Sequence, residues 1–217
     1  DLIQFTQNNQ KALTIPGDKF HYSDTGYVLL GLVIEKITQK KYETVLQENI
    51  LTPLGMTHSY MYLRSEPIDK SQLPVSSMML GDKDVTTYKS ISAEWAGGGI
   101  ISTTEDLLLF HKAFITGKIV ANKSYLSLIG TNKFMDGIYY GLGLMTVRFG
   151  DMSFLMPKTP ALHGHSGLLS TLLFYSPDYD SYVIANLGST DDVGDSFEMM
   201  FWIMQYLKEI KKIKESK

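Results

Sequence analysis

The chain holds 217 residues with a 44% hydrophobic content, enough for one large domain or two small ones around an ordinary core. Its 20 Lys and Arg face 23 Asp and Glu, a formal net charge of -3 with the signs mostly interspersed, so no broad basic face is offered to a phosphate backbone and nucleic acid is not expected as a partner. Cysteine is absent, which excludes disulfides, thiolate catalysis and Cys-ligated zinc, and no run approaches the roughly 18 to 20 apolar residues of a membrane helix.

Residues 1–10 are polar and do not read as a signal sequence, so a targeting segment, if the protein is exported, lies upstream. Ile15-Pro16-Gly17-Asp18 marks a turn, and Tyr22-Ser23-Asp24-Thr25 supplies capping residues ahead of an apolar run. The helix that follows is expected to bury Leu30, Val33, Ile34 and Ile37, spaced i, i+3, i+4, i+7, with Glu35, Lys36 and Lys40 on the other side. A second helix carries Tyr42, Val45, Leu46 and Ile50 and stops at Pro53-Leu54-Gly55-Met56.

Residues 60–94 lack periodicity and predict a long irregular crossing. Gly97-Gly98-Gly99 precedes Ser102-Thr103-Thr104-Glu105, expected as a capping box that opens a helix to about Ile115. The register then turns to β, with strands expected at 140–148, 153–156, 168–175 and 182–187 and a hairpin connection at residues 176–180. A closing helix shows Phe197, Met200, Phe201, Met204, Leu207 and Ile210 on one stripe, and the cations at 208–217 complement its C-terminal dipole. The order of helices, meandering strands and a final helix is that of an α+β fold.

Three constellations bear on chemistry. Tyr22-Ser23-Asp24 sits at a loop-to-helix junction, where the phenol is either a proton carrier activated by nearby cations or a wall residue beside a helix cap. His163-Gly164-His165-Ser166-Gly167 precedes an alternating strand. Its two histidines share a face, a spacing that holds zinc only with a third ligand from elsewhere, or it presents His165 and Ser166 to an acyl group while the Leu168 N–H points at the oxyanion. The triple glycine lacks the Gly-Lys-Ser/Thr ending of a phosphate cradle and suits close packing instead.

In order along the chain stand Pro16-Gly17-Asp18 with Tyr22-Ser23-Asp24-Thr25-Gly26-Tyr27, then Pro53-Leu54-Gly55-Met56, then Gly98-Gly99-Ile100-Ile101-Ser102-Thr103-Thr104-Glu105-Asp106-Leu107, then Tyr140-Gly141-Leu142-Gly143, then Gly164-His165-Ser166-Gly167. Together they resemble the β-lactamase and penicillin-binding-protein family, in its class C β-lactamase, DD-peptidase and esterase branch, from about residue 15 to residue 207.

The resemblance implies an antiparallel sheet with flanking helices and a helical subdomain. Residues 1–135 would form the mostly helical part and 136–217 the strands and last helix of one composite catalytic domain. It implies acyl transfer by a serine in a Ser-x-x-Lys motif on a small-molecule acyl substrate, such as a β-lactam, a D-alanyl peptide or an ester, without a cofactor or metal and in a bacterial cell envelope. Tyr22 matches the proton-shuttling tyrosine, Asp24 the residue that is usually Asn, and His165, Ser166 and Gly167 the third motif, with the Leu168 N–H as an oxyanion donor.

Asp24 for Asn removes a donor to a substrate carbonyl, and His165 for Lys removes an obligatory cation, which favours an esterase or peptidase over a β-lactamase. No Ser-x-x-Lys occurs in the 217 residues, so a preceding segment is expected to carry the nucleophile. This chain alone is then expected to be inactive, with an unpaired sheet edge open to that segment or to another chain. The competing readings are a non-catalytic module that binds peptidoglycan or a protein, and a metal-dependent hydrolase built on His163 and His165.

Overall fold

A computed structural model describes residues 2–71, 74–120 and 125–216, and the chain divides into two compact units. The first comprises residues 1–75 and 87–110, the second residues 76–86 and 111–217. The class is α+β, as expected: helices dominate the first unit, and the second is built on an antiparallel sheet.

In the first unit, α1 spans Leu2–Asn9 and α2 Asp24–Thr38. Ser23 caps α2 from an extended backbone, its hydroxyl accepting the Gly26 N–H at 3.3 Å, and Gln39 ends the helix in the left-handed region. The second expected helix exists but is broken into α3 (Tyr42–Leu46), a π-helical turn (Gln47–Leu51) and α4 (Thr52–Leu54), closed by Gly55 at a φ of 72°. α5 (Trp95–Gly98) packs against α2, and β1 (Tyr60–Met61) pairs with β4 (Ile100–Ile101). The core gathers Val28, Met61 and Trp95, with Ile3, Tyr42, Leu46 and Ala96 packed against them.

The buried face of α2 is not the expected one. Leu30, Val33 and Ile37 are 57%, 50% and 76% exposed, and the buried positions are Val28 and Gly31. Gly31 is the reason: a Cβ there would lie 2.6 Å from the Ala96 Cβ and 3.1 Å from the Trp95 ring, so the closest approach to α5 falls where there is no side chain.

The helix α6 (Thr104–Ile115) starts one residue later than a Ser102–Glu105 capping box requires. Thr103 Oγ1 accepts the Asp106 N–H at 3.2 Å, whereas Ser102 Oγ meets Ser59 Oγ at 2.7 Å. Ser59 in turn donates to Asp106 Oδ2 at 2.8 Å, and the His58 N–H reaches the same oxygen at 2.9 Å. Ser59 and Asp106 are 0% and 3% exposed, so this hydroxyl–carboxylate chain ties β1 to the start of α6 and is closed to any substrate.

In the second unit, β2 (Met79–Leu80) and β3 (Lys83–Asp84) form a small hairpin within the irregular crossing. Six strands make an antiparallel meander in the order β10-β9-β8-β7-β6-β5. They are β5 (Asn132–Met135), β6 (Ile138–Tyr140), β7 (Met145–Val147), β8 (Leu162–Ser166), β9 (Thr171–Ser176) and β10 (Ser181–Asn186). α7 (Val193–Glu215) buries Met200, Phe201 and Met204, while Phe197 meets Phe174 of β9 with ring centroids 6.4 Å apart. Leu172 and Phe174 are fully buried, the inward half of an alternating strand.

Four expectations in this unit fail locally. The run 140–148 is two strands, because Gly143 at a φ of 75° turns the chain between β6 and β7. Residues 153–156 form a turn with Phe154 95% exposed, and Met152 and Met156 line an apolar hollow with Phe197, Phe201 and Trp202. The strand expected from Leu168 starts at Thr171, and Leu168 belongs to the turn before it. Ile210 of the last stripe is 47% exposed. No helix among the described residues is long and apolar enough to cross a membrane.

Candidate active site

Each unit carries one part of the expected constellation. In the first unit, the Ser23 cap fixes the start of α2, and Asp24 takes its first helical position, where a carboxylate complements the helix dipole. Tyr22, two residues earlier, is half-buried with its ring 6.2 Å from that of Tyr27 and its phenol within reach of the Asp24 charge. Burial, then the Asp24 charge and hydrogen bond, then Tyr27 and Glu94 all push the Tyr22 hydroxyl above the ordinary phenol range. The structure therefore brings Tyr22 and Asp24 together as a proton-holding pair, and the groups that act on this phenol favour keeping its proton.

Beside this pair, Gly99 of the triple glycine serves close packing, while Gly98 has open space around it. Gly97 lies at the Asp24 carbonyl, where a Cβ would come within 3.8 Å, and a Cβ on Gly99 would sit 2.8 Å from the Trp95 nitrogen and 3.1 Å from the Met61 sulfur.

In the second unit, His163, His165 and Ser166 lie on β8, and Gly167 and Leu168 open the turn into β9. The Gly167 N–H donates to the Thr171 carbonyl at 2.9 Å and the Ser170 N–H to the Gly167 carbonyl at 3.1 Å, with Ser170 in the left-handed region at a φ of 59°. This tight closure holds the Leu168 backbone at the end of the strand, its side chain 71% exposed. Gly164 is obligatory in the middle of β8, because a Cβ there would overlap the Leu173 carbonyl oxygen.

The two histidines face different surroundings. His163 is buried, its Nδ1 3.0 Å from Thr146 Oγ1, and burial first and Arg148 second lower its proton affinity, against a smaller opposing pull from Asp178. His165 is half-buried near the end of the strand, Nδ1 2.6 Å from the Ser166 carbonyl oxygen and Nε2 3.1 Å from the Tyr140 hydroxyl. Ser166 Oγ donates to the Met145 sulfur at 3.6 Å. No group of three or more His, Cys, Asp or Glu able to hold a metal ion exists among the described residues.

Tyr140 is the residue that the sequence did not single out. It stands in the Tyr-Gly-Leu-Gly block, and the signal was there: an aromatic directly before a turn that only glycine accommodates. A Cβ on Gly141 would overlap the Leu128 carbonyl and the Gly130 nitrogen. Its partnership with His165 spans three strands and cannot be read from spacing.

The comparisons agree with this architecture. Over 193 residues the chain is 25% identical to a D-alanyl-D-alanine carboxypeptidase of Escherichia coli (strain K12), a match that covers 75% of this chain and 43% of that protein. It is 33% identical over 106 residues to a penicillin-binding protein of Bacillus subtilis (strain 168), covering 48% of this chain and 26% of the relative. The chain thus spans less than half the length of the curated relatives it matches. Among solved structures, the D-amino acid amidase of Ochrobactrum anthropi superposes with a TM-score of 0.70 at 23% identity, over 99% of this chain and 63% of that one, a likeness of fold. The octameric penicillin-binding protein homologue of Pyrococcus abyssi gives a TM-score of 0.63 at 26% identity, over 86% and 43%. With the beta-lactamase family model matching residues 2–199, the chain belongs to the beta-lactamase family.

Proposed function

We propose that this chain supplies part of the site of a serine acyl hydrolase of the bacterial cell envelope, acting on small acyl donors such as esters, amides or D-alanyl peptides. Tyr22 is the proton carrier, Asp24 its hydrogen-bond partner, and His165, Ser166 and Gly167 form the strand end against which the acyl group lies. The Leu168 N–H is an oxyanion donor, a contribution that is typically about 10²- to 10³-fold in rate. The nucleophilic serine and lysine come from a segment outside the 217 residues, since no Ser-x-x-Lys lies within them. The observation that carries the proposal is the Tyr22–Asp24 pair on a capped helix start, in a chain matched by the family model over residues 2–199. The uncovered Leu30, Val33 and Ile37 of α2 and the sheet edge at β10 offer places for such a segment to pack.

The test uses the full-length protein. A fluorescent penicillin or an alkyl phosphonate is expected to label one serine covalently, and Tyr22→Phe is expected to slow acylation by about 10²- to 10⁴-fold. An unchanged rate removes Tyr22 from the mechanism. A second reading, a binding module for peptidoglycan or a protein partner without catalysis, is favoured by one observation: the neighbours of Tyr22 hold its proton in place. Absence of any Ser-x-x-Lys in the coding sequence ahead of Asp1, with no covalent labelling, would select it.

A further inference from the structure

The Tyr140–His165 pair says which acyl donors the strand end accepts, an inference that rests on the hydrolase reading above. Tyr140 lies on β6 in register with Met145 of β7, which is in register with Gly164 of β8, so the phenol reaches past the intervening strand to the residue after Gly164. Tyr140 is 4% exposed, and its ring meets the His165 imidazole edge-on, with centroids 5.6 Å apart and planes at 89°.

The two contacts of the imidazole limit where its protons sit. The atom 2.6 Å from Nδ1 is the carbonyl oxygen of Ser166, which only accepts, so the Nδ1 position carries a hydrogen. In a neutral ring Nε2 is then the lone pair, and the buried Tyr140 hydroxyl at 3.1 Å donates to it. Both ring nitrogens are thereby engaged by the protein. A phenol that donates to Nε2 stabilises the neutral ring and competes with protonation at that nitrogen.

We infer that Tyr140 is a positioning residue that holds His165 neutral, as the Nδ1–H tautomer, and that the site consequently selects acyl donors presenting an uncharged group to the β8 end over donors presenting a carboxylate. A cation at that position would pair with a carboxylate through a charge-assisted hydrogen bond. A neutral imidazole with both nitrogens occupied offers no such donor and leaves a bound carboxylate desolvated without a partner. Amides and esters bearing no acid beside the scissile bond escape that penalty.

The experiment has two arms on the full-length protein. With ¹⁵N-labelled histidine, the resonance assigned to His165 by its loss in His165→Gln is expected to show the Nδ1–H tautomer at pH 7. Tyr140→Phe, which keeps the buried ring, is expected to raise the titration midpoint of that ring by about half to one pH unit, with the other histidine resonances unmoved. In the second arm, an acyl-D-alanyl-D-alanine and its C-terminal amide are compared. Wild type is expected to favour the amide in kcat/KM by about tenfold or more, and Tyr140→Phe to narrow that ratio as the ring becomes protonated below its new midpoint.

A protonated His165 or an Nε2–H tautomer in wild type, or a titration that Tyr140→Phe does not move, overturns the role of Tyr140. A preference for the acid form overturns the selectivity. If neither donor is hydrolysed, the hydrolase proposal fails, while the resonances still decide the Tyr140–His165 pair.

Discussion

Two tyrosines, one in each compact unit, face different kinds of neighbour. Tyr22 is half-buried at the mouth of a helix beside the Asp24 carboxylate; Tyr140 is buried in a sheet with its hydroxyl 3.1 Å from an imidazole nitrogen. A negative neighbour raises the phenol and ties its proton down, and the proposed role of Tyr22 as proton carrier would call for a cation beside it. A neutral acceptor makes no such demand, and the Tyr140 pair is complete within the sheet. The lesson is that the same side chain sits beside a charge in one place and beside a neutral ring in the other, and only the charged neighbour strengthens its hold on the proton.

Exchanging each phenol for phenylalanine would sharpen this contrast most. Tyr22→Phe is expected to cost the acylation rate orders of magnitude, whereas Tyr140→Phe leaves the rate for a neutral donor within a few-fold and changes only the pH profile and the acid-to-amide ratio. Equal losses in stopped-flow acylation assays would erase the distinction.

A third ring serves as a control for what an unpartnered imidazole costs. His111 is 2% exposed among Phe114, Tyr175 and Tyr182, and its Nδ1 is buried without a hydrogen-bond partner. Burial pushes it down from an ordinary value of 6.5 to about 4. Above pH 6.5 both folded and unfolded chains hold it neutral, and its full contribution is present. As pH falls from 6.5 towards 4, the unfolded chain takes up a proton that the folded chain refuses, so stability drops by roughly 3 kcal/mol across that window. Urea midpoints measured from pH 7 to pH 4 should follow that slope, and His111→Phe should flatten it.

Replacing the acceptor tests the first pair directly. In Asp24→Asn the charge disappears while an amide oxygen remains, so Tyr22 is expected to ionise roughly one pH unit lower, read as the ultraviolet absorbance of its phenolate. A titration that does not move would place the raised value on burial alone. The smallest effect is expected from Ser23→Ala, which removes the cap at the start of α2 and costs about 1 kcal/mol in denaturant unfolding. It should also loosen the Tyr22–Asp24 geometry enough to lower the Tyr22 titration midpoint slightly.

Local chemistry was legible wherever one residue type answers one local demand. Ser23 and Gly55 mark the ends of helices, residues 177–180 join β9 to β10, and Met200, Phe201 and Met204 face the core from α7. Capping oxygens, left-handed glycines and apolar spacing act over one or two turns, and a sequence displays them directly. The capping box at Ser102 failed because four hydroxyl or acidic residues in a row offer two registers. The buried Ser59, 43 residues before Ser102 and 47 before Asp106, chooses between them by bonding both.

What the sequence determined by itself was the family signature, the α+β class and the order of elements, because these follow from short motifs and their succession. Only the tertiary structure decided that α2 packs through Val28 and Gly31 instead of its leucines. It also decided that a phenol two strands away, on β6, meets the His165 ring. Both depend on the distance between backbones brought together by the fold: a glycine records a close approach without saying to what, and a tyrosine carries no mark of the imidazole it will meet.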